Sequence, residues 1–79
     1  MGQYRPIKTI CWENFLTFKK CAFNKTAKGS HHKWKCPNCF QSIIFRGAEK
    51  EIPFDHIITN LRTMGVPKEE FIKWIEDNC

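Results

Sequence analysis

The sequence predicts an α+β fold, a small zinc-bound β-hairpin module packed against a C-terminal helical hairpin. Three observations carry that expectation. A cysteine knuckle, Cys36-Pro37-Asn38-Cys39, sits between two strand-like runs, and apolar residues take up helical spacing only after Pro53. The chain has 79 residues, so one small core has to suffice, and natural domains of this size often add a metal or disulfides. Residues 1–79 read as a single domain, with a basic β-rich part over 1–48 and a helical hairpin over 53–79.

In the first part, "IKTICW" (7–12) alternates and "NFLTF" (14–18) follows a possible turn at Glu13-Asn14, so both read as short strands. The polar run "NKTAKGS" (24–30) ends in Gly-Ser and reads as a loop. "HHKWKC" (31–36) alternates, with Trp34 and Cys36 on one face, and "CFQSIIF" (39–45) is β-branched and aromatic. These two runs flank Pro37-Asn38, which predicts a hairpin with the knuckle at its tip.

"RGAEKEI" (46–52) breaks the strand pattern. From Pro53, the residues Phe54, Ile57, Ile58, Leu61 and Met64 fall on one helical stripe. Pro53 suits a first helical turn and Gly65 a left-handed C-terminal cap. A second helix starts at Val66-Pro67. Glu69 and Glu70 sit at its positive end, and Phe71, Ile72 and Ile75 form its buried face with Trp74 at the margin. The spacing therefore predicts two helices joined by Gly65-Val66-Pro67. Neither helix has a basic face, so the pair reads as a cover for a sheet rather than a DNA-reading unit.

Charge divides the chain at the same place. Residues 1–48 carry nine Lys or Arg and one acid, Glu13, whereas residues 49–79 carry four basic and seven acidic side chains. A basic half joined to an acidic half points to one face for a polyanion, with a merely solvated basic surface as the bland reading. Lys19, Lys20, Lys25, Lys28, Lys33 and Lys35 crowd one stretch, interleaved with Phe23 and Trp34. Lysines neutralise phosphates, and aromatics can stack on unpaired bases. Bidentate reading of guanine favours arginine, and the chain has only Arg5, Arg46 and Arg62, so phosphate gripping is favoured over sequence reading. Trp34 has a competing role in the core.

Five cysteines in 79 residues is a high density, and their odd number leaves one thiol over in any fully paired framework. The N-terminus has no apolar signal core, and no run reaches the roughly 18 apolar residues of a membrane span. Gly2 fails as a myristoylation signal because position 6 is Pro6. These features suggest an intracellular, reducing setting, in which a CxxC favours metal or redox chemistry. Zn²⁺ takes four N or S ligands. Cys36 and Cys39 supply two. Cys11 and Cys21 complete the preferred set, and His31, His32, His56 and Cys79 are the other candidates. Cys79, at the chain end, is expected to fray. A redox CxxC usually opens a helix, which the flanking strand-like runs do not provide.

The stretch "FLTFKKCAFNKTAKGSHHKWKCPNCFQSII" resembles FLYWCH-type zinc fingers, although that family's closing His-x-His is absent and only His56 stands near its place. "HHKWKCPNCFQSII" followed by a helix is similar to the zinc-ribbon of primase-type proteins, without their CPFH motif. Either resemblance covers about half the chain, and either implies a zinc-held β module that contacts nucleic acid. "EIPFDHIITN" looks like the Asp-His run of HNH endonucleases, but the following Gly-Gly and the second CxxC are missing. The expected function is thus a non-catalytic, zinc-binding regulator. It would bind DNA or RNA through the basic module or, as an alternative, act as a small viral- or phage-type inhibitor or adaptor on the surface of a nucleic-acid-handling protein. An exposed apolar stripe at Phe71, Trp74 and Ile75 would favour the protein partner.

Overall fold

The computed structural model of the chain describes residues 5–26, 31–37 and 39–79, and within these the fold is α+β. A short strand β1 (Ile7–Lys8) leads directly into helix α1 (Thr9–Phe18). Strands β2 (Ala22–Thr26), β3 (His31–Lys35) and β4 (Ile43–Arg46) form an antiparallel sheet in the order β2-β3-β4. Strand β5 (Glu51–Ile52) pairs with β1, and helices α2 (Phe54–Met64) and α3 (Lys68–Asn78) close the chain.

Strand β4 begins at Ile43 rather than Cys39, so the CxxC opens a longer connection than expected, but the helical hairpin and the pairing of β3 with β4 agree with the sequence reading. The stretch 9–18 does not, because it is a helix rather than a pair of strands. The physical reason lies in its apolar spacing. Cys11, Trp12, Phe15 and Leu16 are all buried, and the pairs 11/15 and 12/16 repeat at one helical turn. The alternation of "IKTICW" obscures that stripe. The loop expected over 24–30 is not found over its described part, because residues 24–26 belong to the strand that pairs with β3; residues 27–30 lie outside the described residues.

Backbone hydrogen bonds set both ends of α1 and the end of α2. The Thr9 N–H donates to the Lys50 carbonyl at 2.9 Å and its hydroxyl donates to the Glu49 carbonyl, so the β5 approach caps α1 in place of a side chain. At the other end, Lys20 adopts φ 70°, its N–H donates to Thr17 O, and the Cys21 N–H donates to Leu16 O. This is the paired closure of a Schellman motif, built on lysine where glycine is usual. It turns the chain so that Cys21 leads into β2. Helix α2 ends the same way at Gly65, φ 73°, with Gly65 N–H on Arg62 O and Val66 N–H on Leu61 O.

The core lies between the inner face of the sheet and the three helices. Trp12, Phe15, Leu16, Ile43, Ile52, Ile57 and Phe71 are fully enclosed. Trp12 is the hub, with ring contacts to Phe15, Phe45 and Phe71 at 5.9, 6.2 and 5.4 Å. Trp74 packs on Phe15 and Phe18, so the face of α3 around Phe71 and Trp74 closes onto α1 and is not the open stripe that would favour a protein partner. The buried Asn60 side chain donates to the Ile44 carbonyl at 3.1 Å and so occupies an acceptor on the β4 edge. No described helix is long and apolar enough to cross a membrane.

Gly47 follows β4 and lies against the His32 imidazole, where an added Cβ would overlap the ring. His32 is held on the inner face between Phe23 and Phe45, with ring centroids 5.4 and 6.4 Å away. Gly47→Ala is therefore expected to expel the ring and cost about 1–3 kcal/mol, as overpacking does. Urea denaturation of the variant measures it.

Candidate nucleic-acid interface and cysteine cluster

Partners directly opposite in a sheet share a face, so the register assigns every side chain. Trp34 pairs with Phe23 and Ile43, and His32 pairs with Phe45; these residues share the inner face, where Phe23 at the outer strand stays 50% exposed. Lys33 pairs with Ile44, His31 with Arg46, and Lys35 with Ala22; these face outward. A bulge between Phe23 and Lys25 alters the count on β2. Regular alternation would send Lys25 inward with Phe23. The extra residue, Asn24, instead brings Lys25 opposite Lys33 on the outer face.

The outer face thus carries Lys25, Lys33, Lys35, Arg46 and His31, with Ile44 among them and 45% exposed. Strands β2, β3 and β4 contain no Asp or Glu. Lys25 and Lys33 are directly opposed like charges, an arrangement that costs stability in a sheet by a few tenths of a kcal/mol up to about 1 kcal/mol. At one side of this face a cavity of about 320 Å³ is lined by His31, Arg46, His56 and Thr59.

The other residues expected to bind divide. Lys20 is exposed on the turn after α1. Lys19 is committed to an ion pair with Glu70 at 2.7 Å. Lys28 lies outside the described residues. Trp34 is 8% exposed and faces the core, in ring contact with Phe45 and Phe23, so its indole has no face to offer a base. Arg46 and His31 were not assigned to this surface from sequence. Their facing positions follow from the β3–β4 register, which the sequence did not specify.

The cysteines separate into two places. Cys11 is bonded to Cys79, and Cys21 to Cys36. Cys39 is the one free thiol, the leftover that an odd count requires. Cys21, Cys36 and Cys39 line one cavity of about 330 Å³ with Lys19, Met64 and Glu70. The expected set of four is therefore not assembled. Cys11 sits in the first turn of α1 and Cys21 past its C-terminal end, with roughly 10 Å of helix between Cys11 and Phe18. Cys79, expected to fray, is instead tied to α1. With these pairs formed, no group of three or more His, Cys, Asp or Glu among the described residues is arranged to hold a metal ion. His32 packs as an inner-face aromatic, while His56 is exposed on α2.

No family model matches the chain, and neither a curated protein nor a solved structure matches it.

Proposed function

We propose that the chain is an intracellular regulatory protein that binds nucleic acid, without catalysis, by laying the outer face of β2–β4 on the phosphate backbone. The observation that supports this reading is the opposed pair Lys25 and Lys33, which a bulge brings together on an acid-free face beside Lys35 and Arg46. Opposed cations repel in the free protein, and a phosphate bridging them removes that penalty. With Trp34 in the core, the grip is ionic rather than a stacking platform. The test is a salt titration of binding to single- and double-stranded DNA and RNA.

Zinc belongs to the same proposal, in the reduced chain. Cys21, Cys36 and Cys39 then offer three thiolates in one cavity, and the Glu70 carboxylate that also lines it is an eligible fourth ligand if it leaves Lys19. The reduced protein is expected to hold one Zn²⁺ per chain by native mass spectrometry, to lose it on Cys36→Ser and to keep it on Cys11→Ser. Loss on Cys11→Ser would return Cys11 to the site.

A second reading rests on the cavity that His31, Arg46, His56 and Thr59 line at the edge of the same face. Two imidazoles and a guanidinium suit cleavage of RNA. One imidazole takes the proton of a ribose 2′-OH as that oxygen attacks phosphorus, the other gives a proton to the departing 5′-oxygen, and Arg46 neutralises the charge gathering on phosphate. An RNA strand incubated with the protein should then be cut to 2′,3′-cyclic ends. Its 2′-deoxy counterpart should survive, and His31→Ala should lower the rate by about 10²–10⁴-fold. An uncut RNA strand that nevertheless binds leaves the non-catalytic reading in place.

A further inference from the structure

The cavity shared by Cys21, Cys36 and Cys39 has a chemistry that neither nucleic-acid binding nor metal binding uses. Two of its three sulfurs are bonded to each other and the third is a thiol. Cys36 is therefore common to two possible bridges, one reaching across to Cys21 and one within its own CxxC. A short turn already folds the chain back here, with the Cys39 N–H on the Cys36 carbonyl at 3.4 Å. Cys21 and Cys36 are each 6% exposed, whereas Cys39 is half-buried, so solvent reaches the thiol more readily than the bridge.

We propose that this trio is a thiol–disulfide exchange site whose reactant is a small disulfide such as oxidised glutathione, with Cys39 as the entry sulfur. In the internal step the Cys39 thiolate attacks Cys36 Sγ. The Cys39–Cys36 bond forms, the Cys36–Cys21 bond breaks, and Cys21 leaves as a thiolate that takes up the proton Cys39 released. No net oxidation occurs. An external disulfide is taken up at Cys39, whose thiolate forms a mixed disulfide and releases one small thiolate; with Cys21 and Cys36 bonded to each other, a second small thiol displaces it again. The consequence is structural. The Cys21–Cys36 bridge ties the α1–β2 junction to the end of β3, while the Cys36–Cys39 bridge is local and leaves that junction free. Exchange therefore moves a covalent clamp at the end of the lysine-bearing hairpin.

Peptide mapping tests this on the full chain. Trypsin cutting after Lys20, Lys25, Lys35 and Arg46 releases CAFNK, with Cys21, and CPNCFQSIIFR, with both Cys36 and Cys39. Oxidised protein is incubated, quenched with an alkylating agent, digested without reductant and weighed. The expected result is two populations. In one, the peptides are linked and Cys39 is alkylated. In the other, Cys21 is alkylated and the second peptide is internally bridged. Trace reduced glutathione should speed the interchange, because its thiolate can open the Cys21–Cys36 bridge and then leave as Cys39 attacks Cys36, and in Cys39→Ser only the linked form should remain. Cys39 alkylated in every molecule at all times overturns the proposal. So does a Cys39→Ser variant that forms mixed disulfides with oxidised glutathione as fast as the parent chain. Neither result bears on the lysine face, which is measured separately by binding.

Discussion

Replacing Lys25, Lys33, Lys35 and Arg46 together by Ala will abolish most nucleic-acid affinity at low salt while leaving the fold intact. All four stand on the outer face of the sheet, and none forms an ion pair with another described residue. Each cation that neutralises a phosphate adds about 0.7–0.9 to the slope of log affinity against log salt, so the variant should lose about 3–4 from that slope. Over a range such as 50 to 200 mM salt this corresponds to a difference on the order of a hundredfold. Stability should move the other way, if at all, because the opposed Lys25 and Lys33 repel in the free protein. Lost binding with a preserved or slightly raised melting temperature therefore separates this face from a structural role. A single lysine at Lys19 is the control, because it is already paired with Glu70.

Trp12→Ala will unfold the protein. Trp12 is fully buried and meets Phe15, Phe45 and Phe71, which come from its own helix, from β4 and from α3. Removing a core tryptophan costs about 3–5 kcal/mol, a large part of the 5–15 kcal/mol typical of a domain, and a chain this short starts near the low end. Trp12→Phe is the informative companion. The buried indole N–H has no hydrogen-bond partner among the described residues, so the smaller ring gives up apolar contact but strands no polar group. Circular dichroism on heating should show a lowered but cooperative transition for Trp12→Phe and none for Trp12→Ala.

The second half of the chain was legible because its signals agree. From Phe54 to Met64 the apolar spacing, Asp55 in the first turn and Gly65 after the last all point to the same helix, and Pro67 with Glu69 and Glu70 does the same for α3. Helix α1 was obscured because it has no side-chain cap and ends on a left-handed Lys20 rather than a glycine. Its start is capped by carbonyls at Glu49 and Lys50, some 40 residues away, which no local pattern reveals. The binding face was half legible. Lysine crowding was plain in the sequence, but the bulge at Asn24 decides that Lys25 faces outward, and the register decides that Trp34 faces inward. The cysteines show the same limit. The knuckle was visible, whereas the assignment of Cys11 to Cys79 depends on how α1 packs against α3.

The most direct measurement of the central claim is the affinity of the unmodified protein for a short RNA strand and a short DNA duplex, followed from about 50 mM salt upward. Binding is expected at the lowest salt and should weaken steeply, with a log–log slope of about −3 or steeper. An absence of binding to any single- or double-stranded nucleic acid at about 50 mM salt, or binding that salt leaves unchanged, would contradict it.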